Sequence, residues 1–450
     1  MARLFGTDGV RGQANSDLTA ELALDLSVAA AHVLGEAGVF GSRRAIALVG
    51  RDPRASGEFL EAAVVAGLAS AGVDVVRVGV IPTPGVAYLV NALGADLGVM
   101  LSASHNPMPD NGIKFFSRGG VKLDDTLEDA IEEHLGAEWQ RPIGGDVGRV
   151  SDDLGAIEAY VAHLVSSLGV QASLEGLKVV LDCANGASSM TAVAAFETQG
   201  AEVIAIHNGP TGLNINENCG STHMGDLRAA VVEHGADLGL AFDGDADRCL
   251  AVDAAGEVVD GDQILAIIAI ALQQARELHS DTVVATIMSN LGFVNAMKAH
   301  GIKVDQTKVG DRYVLESMNA NGFTLGGEQS GHVIMSEFAT TGDGVLTGLH
   351  LAARMVRTGQ SLQQLASVMT RLPQIMINVT DVDKLRAGID PDIQSAVSRA
   401  NKELGENGRV VLRPSGTEPL VRVMVEASTT ERAMEVGERL AAIVKTRVGL

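Results

Sequence analysis

Blocks of apolar residues alternate with amphipathic stretches along the chain, in an order that predicts strands followed by helices. Over the first eighty residues the predicted elements are a helix through Leu18, Leu22, Leu26 and Val33, a strand at 45–49, a helix at 58–71 and a strand at 73–78. Pro82-Thr83-Pro84 should then break the chain. This strand–helix–strand order is typical of a largely parallel sheet.

The same rhythm returns in the middle of the chain and gives way to a different pattern near its end. Further strands are predicted at 177–182, 202–206, 281–287 and 302–306. Beyond residue 370 the predicted strands lie at 375–379, 409–412 and 420–425, and a polar helical segment follows the first of them. These patterns predict α/β units with mixed, mainly parallel sheets, followed by a smaller C-terminal α+β domain.

An internal repeat supports this division into similar units. The stretch 94–104 has a twin at 235–245, with five matching residues in a row before the two loops diverge. A fainter third copy lies at 322–332. The alignment places Ser104 opposite Asp245. We therefore expect three similar α/β units, each with one polar loop at the end of a strand.

Composition and charge narrow the classes of function. The formal net charge of −22 argues against binding of nucleic acid, which needs a basic face, and against an anionic membrane surface. A few local arginines can still hold a phosphorylated small molecule. The three cysteines fit neither a zinc motif nor a disulfide framework, the amino terminus has no apolar signal core, and the longest apolar run, 264–272, is too short to span a bilayer. We therefore expect a cytoplasmic protein.

Two serines follow one buried strand, in a stretch that we name the serine loop (residues 101–107, Leu-Ser-Ala-Ser-His-Asn-Pro). Ligands of open α/β sheets bind at the carboxyl ends of strands, where this loop lies. On this evidence Ser102 and Ser104 are equal candidates for a nucleophile, with Lys114 nearby. A surface turn whose serines only cap backbone groups explains the same stretch.

The acidic loop (residues 243–248, Asp-Gly-Asp-Ala-Asp-Arg) is the sharpest signal in the chain. Three carboxylates converge from a tight turn after an apolar strand, where they would repel one another unless a cation is bound: Asp243, Asp245 and Asp247. Hard oxygen ligands suit Mg²⁺, which is the predicted metal. The loop is not an EF-hand, because Arg248 and Ala254 stand where that motif has glycine and glutamate. A solvated acidic turn is the alternative.

Two other loops offer groups that a sugar phosphate could use. The amino-terminal loop (residues 5–12) carries Arg11 among glycines, where it could contact an anion. The glycine-rich loop (residues 326–332) carries three polar groups that can hydrogen-bond sugar hydroxyls: Glu328, Ser330 and His332. His332 could also move a proton, although a lone histidine is more often structural.

The phosphate loop (residues 413–419) predicts a cradle for an anion. With Arg422 beyond it, the loop offers two guanidinium groups, two hydroxyls and a glycine amide: Arg413, Arg422, Ser415, Thr417 and Gly416. The alternative is an ordinary turn with its arginines in solvent.

Together these loops supply a hydroxyl nucleophile, a Mg²⁺ site, a phosphate cradle and donors for sugar hydroxyls, which indicates phosphoryl transfer to or from a polyol. No Walker A or kinase signature is present, so ATP is not the expected donor. One rival is an aspartate-nucleophile phosphatase, although Ala246 stands where such enzymes have Thr or Val. The other rival is a sugar-phosphate sensor without catalysis.

The chain resembles the α-D-phosphohexomutases over nearly its whole length, and most closely the bacterial branch that acts on glucosamine phosphates. The serine loop resembles the family's phosphoserine loop, the acidic loop its metal loop, the glycine-rich loop its sugar-binding loop and the phosphate loop its phosphate-binding loop. The amino-terminal loop and the stretch 309–314 resemble those of the glucosamine branch. No motif position departs from the family pattern.

The resemblance implies four domains around a central cleft, which we place at 1–150, 151–253, 254–369 and 370–450. It implies an isomerase that interconverts glucosamine 6-phosphate and glucosamine 1-phosphate, on the route to UDP-N-acetylglucosamine and the cell wall. A sugar 1,6-bisphosphate would be both intermediate and activator. The partner would be a small hexosamine phosphate, neither nucleic acid nor a membrane, and a homodimer is left open.

The resemblance also implies roles for individual residues. Ser104 would be the phosphorylated nucleophile, and Mg²⁺ would bind an oxygen of phospho-Ser104 together with Asp243, Asp245 and Asp247. The acid/base group would be one of three residues: Arg11, Lys114 and His332. The substrate would be held by a larger set: Glu328, Ser330, Arg248, Arg413, Ser415, Gly416, Thr417 and Arg422.

Overall fold

The computed structural model describes residues 3–6, 8–38, 40, 43–169, 172–415 and 420–450. Their strands form four sheets, of seven, five, four and three strands. No helix in these ranges is long and apolar enough to cross a membrane. The three cysteines are buried and form no disulfide, and burial raises the pKa of each thiol: Cys183, Cys219 and Cys249.

The first sheet contains the strands β1 (Val10–Gln13), β2 (Ile46–Arg51), β3 (Asp74–Val80), β4 (Leu97–Leu101), β5 (Asp110–Ser117), β6 (Val121–Lys122) and β7 (Val150–Asp152). The helices of this region are α1 (Ala20–Glu36), α2 (Gly57–Ser70), α3 (Thr83–Ala92) and α4 (Asp125–Glu133). The strand order is β1-β5-β4-β2-β3-β7, and β6 pairs with β5. Strands β4, β2, β3 and β7 are parallel, whereas β5 is antiparallel to both of its neighbours β4 and β1.

The second sheet has the same mixed character on a smaller scale. Its strands are β8 (Lys178–Asp182), β9 (Glu202–Ile206), β10 (Leu238–Phe242), β11 (Cys249–Asp253) and β12 (Val258–Val259), and its helices are α5 (Ala156–Ser166), α6 (Ser188–Thr198) and α7 (Gly225–His234). The order is β12-β11-β10-β8-β9. Strand β8 is parallel to both β9 and β10, and β11 is antiparallel to β10.

The third sheet repeats the arrangement with four strands: β13 (Thr282–Thr286), β14 (Lys303–Thr307), β15 (Leu325–Gly327) and β16 (Val333–Met335). Its helices are α8 (Gly261–Ala275), α9 (Leu291–Ala299), α10 (Asp311–Asn321), α11 (Gly344–Thr358) and α12 (Leu362–Ala366). The order is β14-β13-β15-β16, and only β16 is antiparallel to its neighbour.

The fourth sheet is different, because all of its pairings are antiparallel. Its strands are β17 (Gln374–Thr380), β18 (Arg409–Pro414) and β19 (Leu420–Glu426), in the order β17-β19-β18. Its helices are α13 (Lys384–Ala387), α14 (Pro391–Leu404) and α15 (Thr430–Val448). The predicted change of architecture after residue 370 is therefore confirmed.

The predicted repeat corresponds to one strand in each of the first three sheets. Strands β4, β10 and β15 each run parallel to one neighbour and antiparallel to the strand that follows them in sequence, namely β5, β11 and β16. The predicted fold class, three α/β domains with mixed sheets and a smaller α+β domain, is confirmed. The domain boundaries that we place in the sequence stay predictions.

One hydrophobic core is shared by the first three sheets, whereas the fourth sheet has its own. One large cluster of buried side chains runs through parts of the first three sheets and includes Val86, Phe242 and Leu346. The fourth sheet has a cluster of its own, with Val423 and Leu440 among its members. Burial of apolar surface therefore joins the first three sheets, while the fourth packs around a separate core.

The predicted break at Pro82-Thr83-Pro84 is wrong, because these residues begin α3. A proline in the first turn of a helix costs no hydrogen bond, because a backbone N–H at that position would have no acceptor within the helix. The other predicted elements lie within a few residues of the observed ones. The strand predicted at 45–49, for example, is Ile46–Arg51.

Candidate active site

The serine loop begins at the end of β4 and takes a strained turn. Ser104 has a φ of 52°, in the left-handed region that residues other than glycine seldom adopt. The amide of Ser104 donates a 2.9 Å hydrogen bond to Ser102 Oγ, and the Ser102 hydroxyl donates to Asp52 Oδ2 at 2.6 Å. Ser102 therefore supports the turn, and the hydroxyl of Ser104 is directed elsewhere.

The hydroxyl of Ser104 reaches the acidic loop of the second sheet. Its Oγ donates to Asp243 Oδ2 at 2.5 Å, although 139 positions separate the two residues in sequence. Ser104 and Asp243 are each 1% exposed, so neither belongs to a solvated surface turn. The equivalent strands β4 and β10 thus bring their loops into direct contact.

His105, next to Ser104, is neutral at ordinary pH. Its Nδ1 lies 3.4 Å from Ser104 Oγ. Burial, together with the nearby charges of Arg248 and Arg11, lowers the pKa of His105 to about 4. The ring can therefore exchange a hydrogen bond with the serine but carries no positive charge there.

The acidic loop holds three buried carboxylates with oxygens within 4.8 Å of one another. The amide of Arg248 donates to Asp243 Oδ1 at 3.2 Å, while Asp245 Oδ2 accepts from Lys114 Nζ at 2.7 Å and from Thr83 Oγ1 at 2.6 Å. Burial and repulsion by the other two aspartates raise the pKa of Asp243 well above its ordinary value.

Unused oxygens in the acidic loop fit a divalent cation. Among the described residues, Asp245 Oδ1 and Asp247 Oδ1 are buried without a hydrogen-bond donor. A buried carboxylate oxygen without a partner is costly, and Mg²⁺ prefers such hard oxygen ligands. The donor set and its burial therefore suit the predicted metal.

Asp8 is the centre of a buried ionic network beside the acidic loop. It pairs with Lys114 and Lys122 at 2.7 Å each and with Arg11, while Lys122 also pairs with Asp311. Burial would raise the pKa of Asp8, but the three cations outweigh it and hold that pKa well below its usual range. Burial acts against the ammonium form of Lys114, but the surrounding carboxylates raise its pKa, so the side chain stays protonated.

His332 is the titratable member of the glycine-rich loop. Its Nε2 accepts a 3.1 Å hydrogen bond from the amide of Gly342, and its Nδ1 lies 3.7 Å from Asp247 Oδ2. The neutral ring therefore carries its proton on Nδ1. Burial lowers the pKa of His332, but the carboxylates of Asp247 and Asp311 outweigh burial and leave it raised.

A cavity of about 610 Å³ opens beside these loops. It gathers residues from the amino-terminal loop, the serine loop, the acidic loop and the glycine-rich loop, among them Arg11, His105, Arg248, Glu328 and His332. The carboxylate of Glu328 accepts from the amide of Gly310 at 3.2 Å. Ser330 does not line the cavity, and its buried Oγ has no hydrogen-bond partner among the described residues. Four of the predicted motifs therefore share one cavity.

The arginines of the phosphate loop lie elsewhere, on the fourth sheet. Arg413 of β18 and Arg422 of β19 are directly opposite each other in the antiparallel ladder. Burial and the charge of Arg422 lower the pKa of Arg413. The two guanidinium groups therefore lie on one face of the sheet, where both could contact the same anion. Neither arginine lines the cavity.

The remaining residues predicted in the phosphate loop can be placed only in part. Ser415 hydrogen-bonds through its backbone, since its amide donates to Leu420 and its carbonyl accepts from Lys384 Nζ at 2.9 Å. Gly416 and Thr417 lie outside the described residues.

Several residues of the site were not predicted from the sequence: Asp8, Asp52, Arg54, Thr83 and Asn216. Asp52 and Arg54 follow β2, the parallel neighbour of β4, so their position at a shared sheet edge was a usable signal. Thr83 and Asn216 contact loops of another domain. Contacts between domains such as these cannot be predicted from a local sequence pattern.

Comparison with protein families covers the chain in four consecutive parts. Residues 2–141, 158–256 and 260–372 match the phosphoglucomutase/phosphomannomutase alpha/beta/alpha domains I, II and III, and residues 375–443 match the C-terminal domain of that family. The order of the four matches follows the order of the four sheets.

Individual proteins agree with this assignment. The chain is 74% identical to the phosphoglucosamine mutase of Cutibacterium acnes and 66% identical to that of Streptomyces griseus, with complete coverage of both partners in each case. A Burkholderia thailandensis structure described as a phosphoglucomutase/phosphomannomutase family protein has the same fold, with a TM-score of 0.84 at 24% identity over 100% of this chain and 99% of that one. The chain belongs to the phosphoglucomutase/phosphomannomutase family, the α-D-phosphohexomutases.

Proposed function

We propose that this isomerase interconverts glucosamine 6-phosphate and glucosamine 1-phosphate through a phosphoserine at Ser104. One observation carries the proposal: Ser104 Oγ lies 2.5 Å from Asp243 Oδ2, and the neighbouring residues His105 and Asp247 line the cavity where four loops meet. The substrate assignment is supported by the relatives from C. acnes and S. griseus, both curated as phosphoglucosamine mutases.

The reaction moves one phosphoryl group in each half. In the first half, O1 of glucosamine 6-phosphate attacks phospho-Ser104, the bond from phosphorus to Ser104 Oγ breaks, and the proton of O1 passes to a base. The product is glucosamine 1,6-bisphosphate. After this intermediate turns over, Ser104 Oγ takes the phosphoryl group from O6, which is reprotonated, and glucosamine 1-phosphate is released. Free bisphosphate would act as an activator by phosphorylating Ser104.

Mg²⁺ would be held by Asp243, Asp245, Asp247 and an oxygen of phospho-Ser104. When bound, it supplies Lewis-acid stabilisation of the charge on the transferred phosphoryl group. The two oxygens without donors, on Asp245 and Asp247, support this assignment. A solved Aspergillus fumigatus N-acetylphosphoglucosamine mutase, with a TM-score of 0.63 at 18% identity over 98% of this chain and 95% of that one, contains GlcNAc-6P and magnesium.

The proton of the sugar hydroxyl needs an acceptor, and the three candidates differ in their surroundings. Lys114 is buried between Asp8 and Asp245, which hold it as an ammonium ion. Arg11 pairs with Asp8 and keeps its charge. His332 lines the cavity and can exist as a neutral ring. We therefore assign proton transfer to Nε2 of His332, which would exchange its hydrogen bond from the Gly342 amide for one to the sugar hydroxyl. Arg11 and Lys114 contribute positive charge beside the phosphoryl group.

Recognition of the sugar and of the second phosphate falls to separate groups. Glu328 would accept hydrogen bonds from the sugar hydroxyls, and Arg248 would contact a phosphate, both from the wall of the cavity. Ser330 does not line the cavity, and its buried Oγ would reach a sugar hydroxyl only after the glycine-rich loop moves. The phosphate that is not reacting would be held by the phosphate loop and its neighbour: Arg413, Ser415, Gly416, Thr417 and Arg422. The facing arginines of β18 and β19 support this role.

The most informative test compares turnover of glucosamine 6-phosphate and glucose 6-phosphate by the purified enzyme with Mg²⁺ and a trace of the matching 1,6-bisphosphate. We expect faster turnover of the glucosamine substrate and almost no free phosphate. Faster turnover of glucose 6-phosphate would overturn the substrate assignment. Stoichiometric release of free phosphate would instead indicate an aspartate-nucleophile phosphatase.

A further inference from the structure

Two carbonyl groups of the serine loop are each bound by the same two side chains. Arg54 Nη2 donates to the carbonyls of Ser104 and Asn106, at 3.0 and 2.8 Å. Asn216 Nδ2 donates to the same two carbonyls, at 2.8 and 3.0 Å. Each nitrogen carries two hydrogens and donates one to each carbonyl oxygen, so the two nitrogens and two oxygens form a closed ring of four hydrogen bonds.

The two donors come from different sheets. Arg54 follows β2 in the first sheet, is fully buried, and also pairs with Asp52 at 2.9 Å. Asn216 belongs to the second sheet's region, in the segment between β9 and α7. The serine loop is thus held by its own domain on one side and by the domain of the acidic loop on the other.

Asn216 itself is held firmly in place. It is 8% exposed, its φ is 58°, and its amide donates to the carbonyl of Ala184 at 2.9 Å. The base of the segment is fixed by Asp182, whose carboxylate accepts from the amides of Ala184 and Gly220 at 2.9 Å each. His207 Nδ1 lies 3.1 Å from Asp182 Oδ2. The donor nitrogen therefore has a fixed position relative to the second sheet.

We infer that Asn216 is a positioning residue for phosphoryl transfer, an inference that rests on the proposed function. Among the described residues, two side chains of the second domain hydrogen-bond to Ser104: Asn216 binds its carbonyl and Asp243 binds its hydroxyl. With both ends fixed to one domain, the left-handed turn at Ser104 presents its Oγ to the acidic loop in a single orientation. Arg54 alone would fix the loop only to its own domain.

The primary test is Asn216→Ala in the full-length enzyme with Mg²⁺. The variant keeps the nucleophile, the aspartates and the cavity walls, so substrate binding should change little. We expect kcat to fall by roughly 10- to 100-fold, because small displacements of a reacting group have effects of this size, with KM within about threefold of wild type. The rate at which glucosamine 1,6-bisphosphate phosphorylates Ser104, followed by intact mass, should fall in parallel.

The segment contains a matched control. Asn218 also has a left-handed backbone, with φ of 53°, but its side chain is exposed. Asn218→Ala therefore adds alanine to the same kind of strained position without removing a contact to the serine loop. We expect kcat of this variant within about twofold of wild type, and a smaller loss of melting temperature than in Asn216→Ala, which also removes two buried hydrogen bonds.

A second variant separates positioning from simple filling of space. Asn216→Asp has nearly the same shape but turns an oxygen towards the two carbonyls, which repel it. We expect its kcat to fall at least as far as that of Asn216→Ala. If Asn216→Asp stays fully active, or if Asn216→Ala behaves like Asn218→Ala, the inference is wrong. If wild-type enzyme shows no mutase activity or no phosphorylated Ser104, the proposed function itself has failed.

Discussion

The serine end of the site, where the serine and acidic loops meet, is built differently from the arginine end, where Arg413 and Arg422 face each other. At the serine end, side chains of the first two sheets bond directly to one another, as Ser104 does to Asp243 and Lys114 to Asp245. The arginine end lies on the fourth sheet, which has its own apolar core. One end is assembled across domains, and the other is carried by a single domain.

This difference indicates that the chemical step and the binding of the second phosphate are assigned to separate parts of the molecule. The reacting groups are preassembled, so the chemical step needs little rearrangement of the chain. The arginines proposed to hold the second phosphate belong to the fourth domain, which packs around its own core. The third domain contacts the fourth through hydrogen bonds, such as the Leu291 amide with Glu426 Oε2 at 3.0 Å. We expect the fourth domain to close over the substrate and to reopen as the bisphosphate turns.

The largest expected effect is at the serine end. Ser104→Ala removes the proposed nucleophile, so we expect mutase activity to fall by about 10⁴-fold or more and intact mass to show no phosphorylation after incubation with a sugar 1,6-bisphosphate. Ser102→Ala removes the acceptor for the Ser104 amide and the donor to Asp52 but keeps the nucleophile, so it should lose less activity while remaining phosphorylated. Full activity in Ser104→Ala would disprove the phosphoserine mechanism.

Removal of the metal should come next in size. Chelation of Mg²⁺ should lower activity by about 10³-fold, because the charge of the phosphoryl group and of three aspartates would be left unbalanced. Mg²⁺ at 100 times its Kd should stabilise the folded enzyme by about 2.7 kcal/mol and raise the Tm. In Asp247→Asn this rise in Tm should be lost or strongly reduced. An equal rise in the variant would place the metal elsewhere.

A smaller effect is expected at the arginine end. Arg413→Ala removes one of two facing guanidinium groups, and a charge-assisted hydrogen bond contributes about 1.5–3 kcal/mol, so kcat/KM should fall by roughly 10- to 100-fold. Phosphorylation of Ser104 should remain detectable by intact mass. Arg399→Ala, on the exposed side of α14 in the same domain, is the control. A similar loss in both variants would show that Arg413 acts only on stability.

The smallest effect concerns stability where the third and fourth sheets meet. Burial, and secondarily the charge of Asp260, raise the pKa of Asp262 to about 7. The folded enzyme therefore keeps a proton that the unfolded chain loses near pH 4, so its stability falls as pH rises from about 4 to 7. Asp262→Asn should make the Tm less sensitive to pH across this range, by a few degrees, whereas Asp146→Asn on the surface should not. A wild-type slope in Asp262→Asn would contradict this.

Much of the fold could be predicted, because strands and repeats leave local patterns. The apolar runs before the serine and acidic loops are β4 and β10, and the repeat identified them as equivalent. The antiparallel partner strands β5, β11 and β16 were not predicted, since pairing direction depends on distant contacts. The start of α3 at Pro82-Thr83-Pro84 was missed because proline breaks helices in most positions but begins them in the first turn.

The site was predictable where chemistry is concentrated in one loop. Three aspartates at alternating positions and a serine at the end of a strand can be recognised as functional residues from the neighbouring sequence alone. The sequence around Thr83 and Asn216 gives no such indication, because each residue hydrogen-bonds to a loop of another domain. Thr83 binds Asp245, and Asn216 binds the carbonyl of Ser104. Asp8 is similar, since only the folded chain shows that it holds Lys114 and Lys122.

The buried cysteines have a practical consequence for measuring closure. Cys183, Cys219 and Cys249 are inaccessible, and burial keeps their thiols protonated, so thiol-specific dyes should react with them slowly. Asp146→Cys and Arg399→Cys, at exposed positions on the first and fourth domains, would therefore accept a fluorophore pair without removal of the native cysteines. Energy transfer between the two dyes would then test, in single molecules, whether the arginine end moves during each catalytic cycle and over what distance.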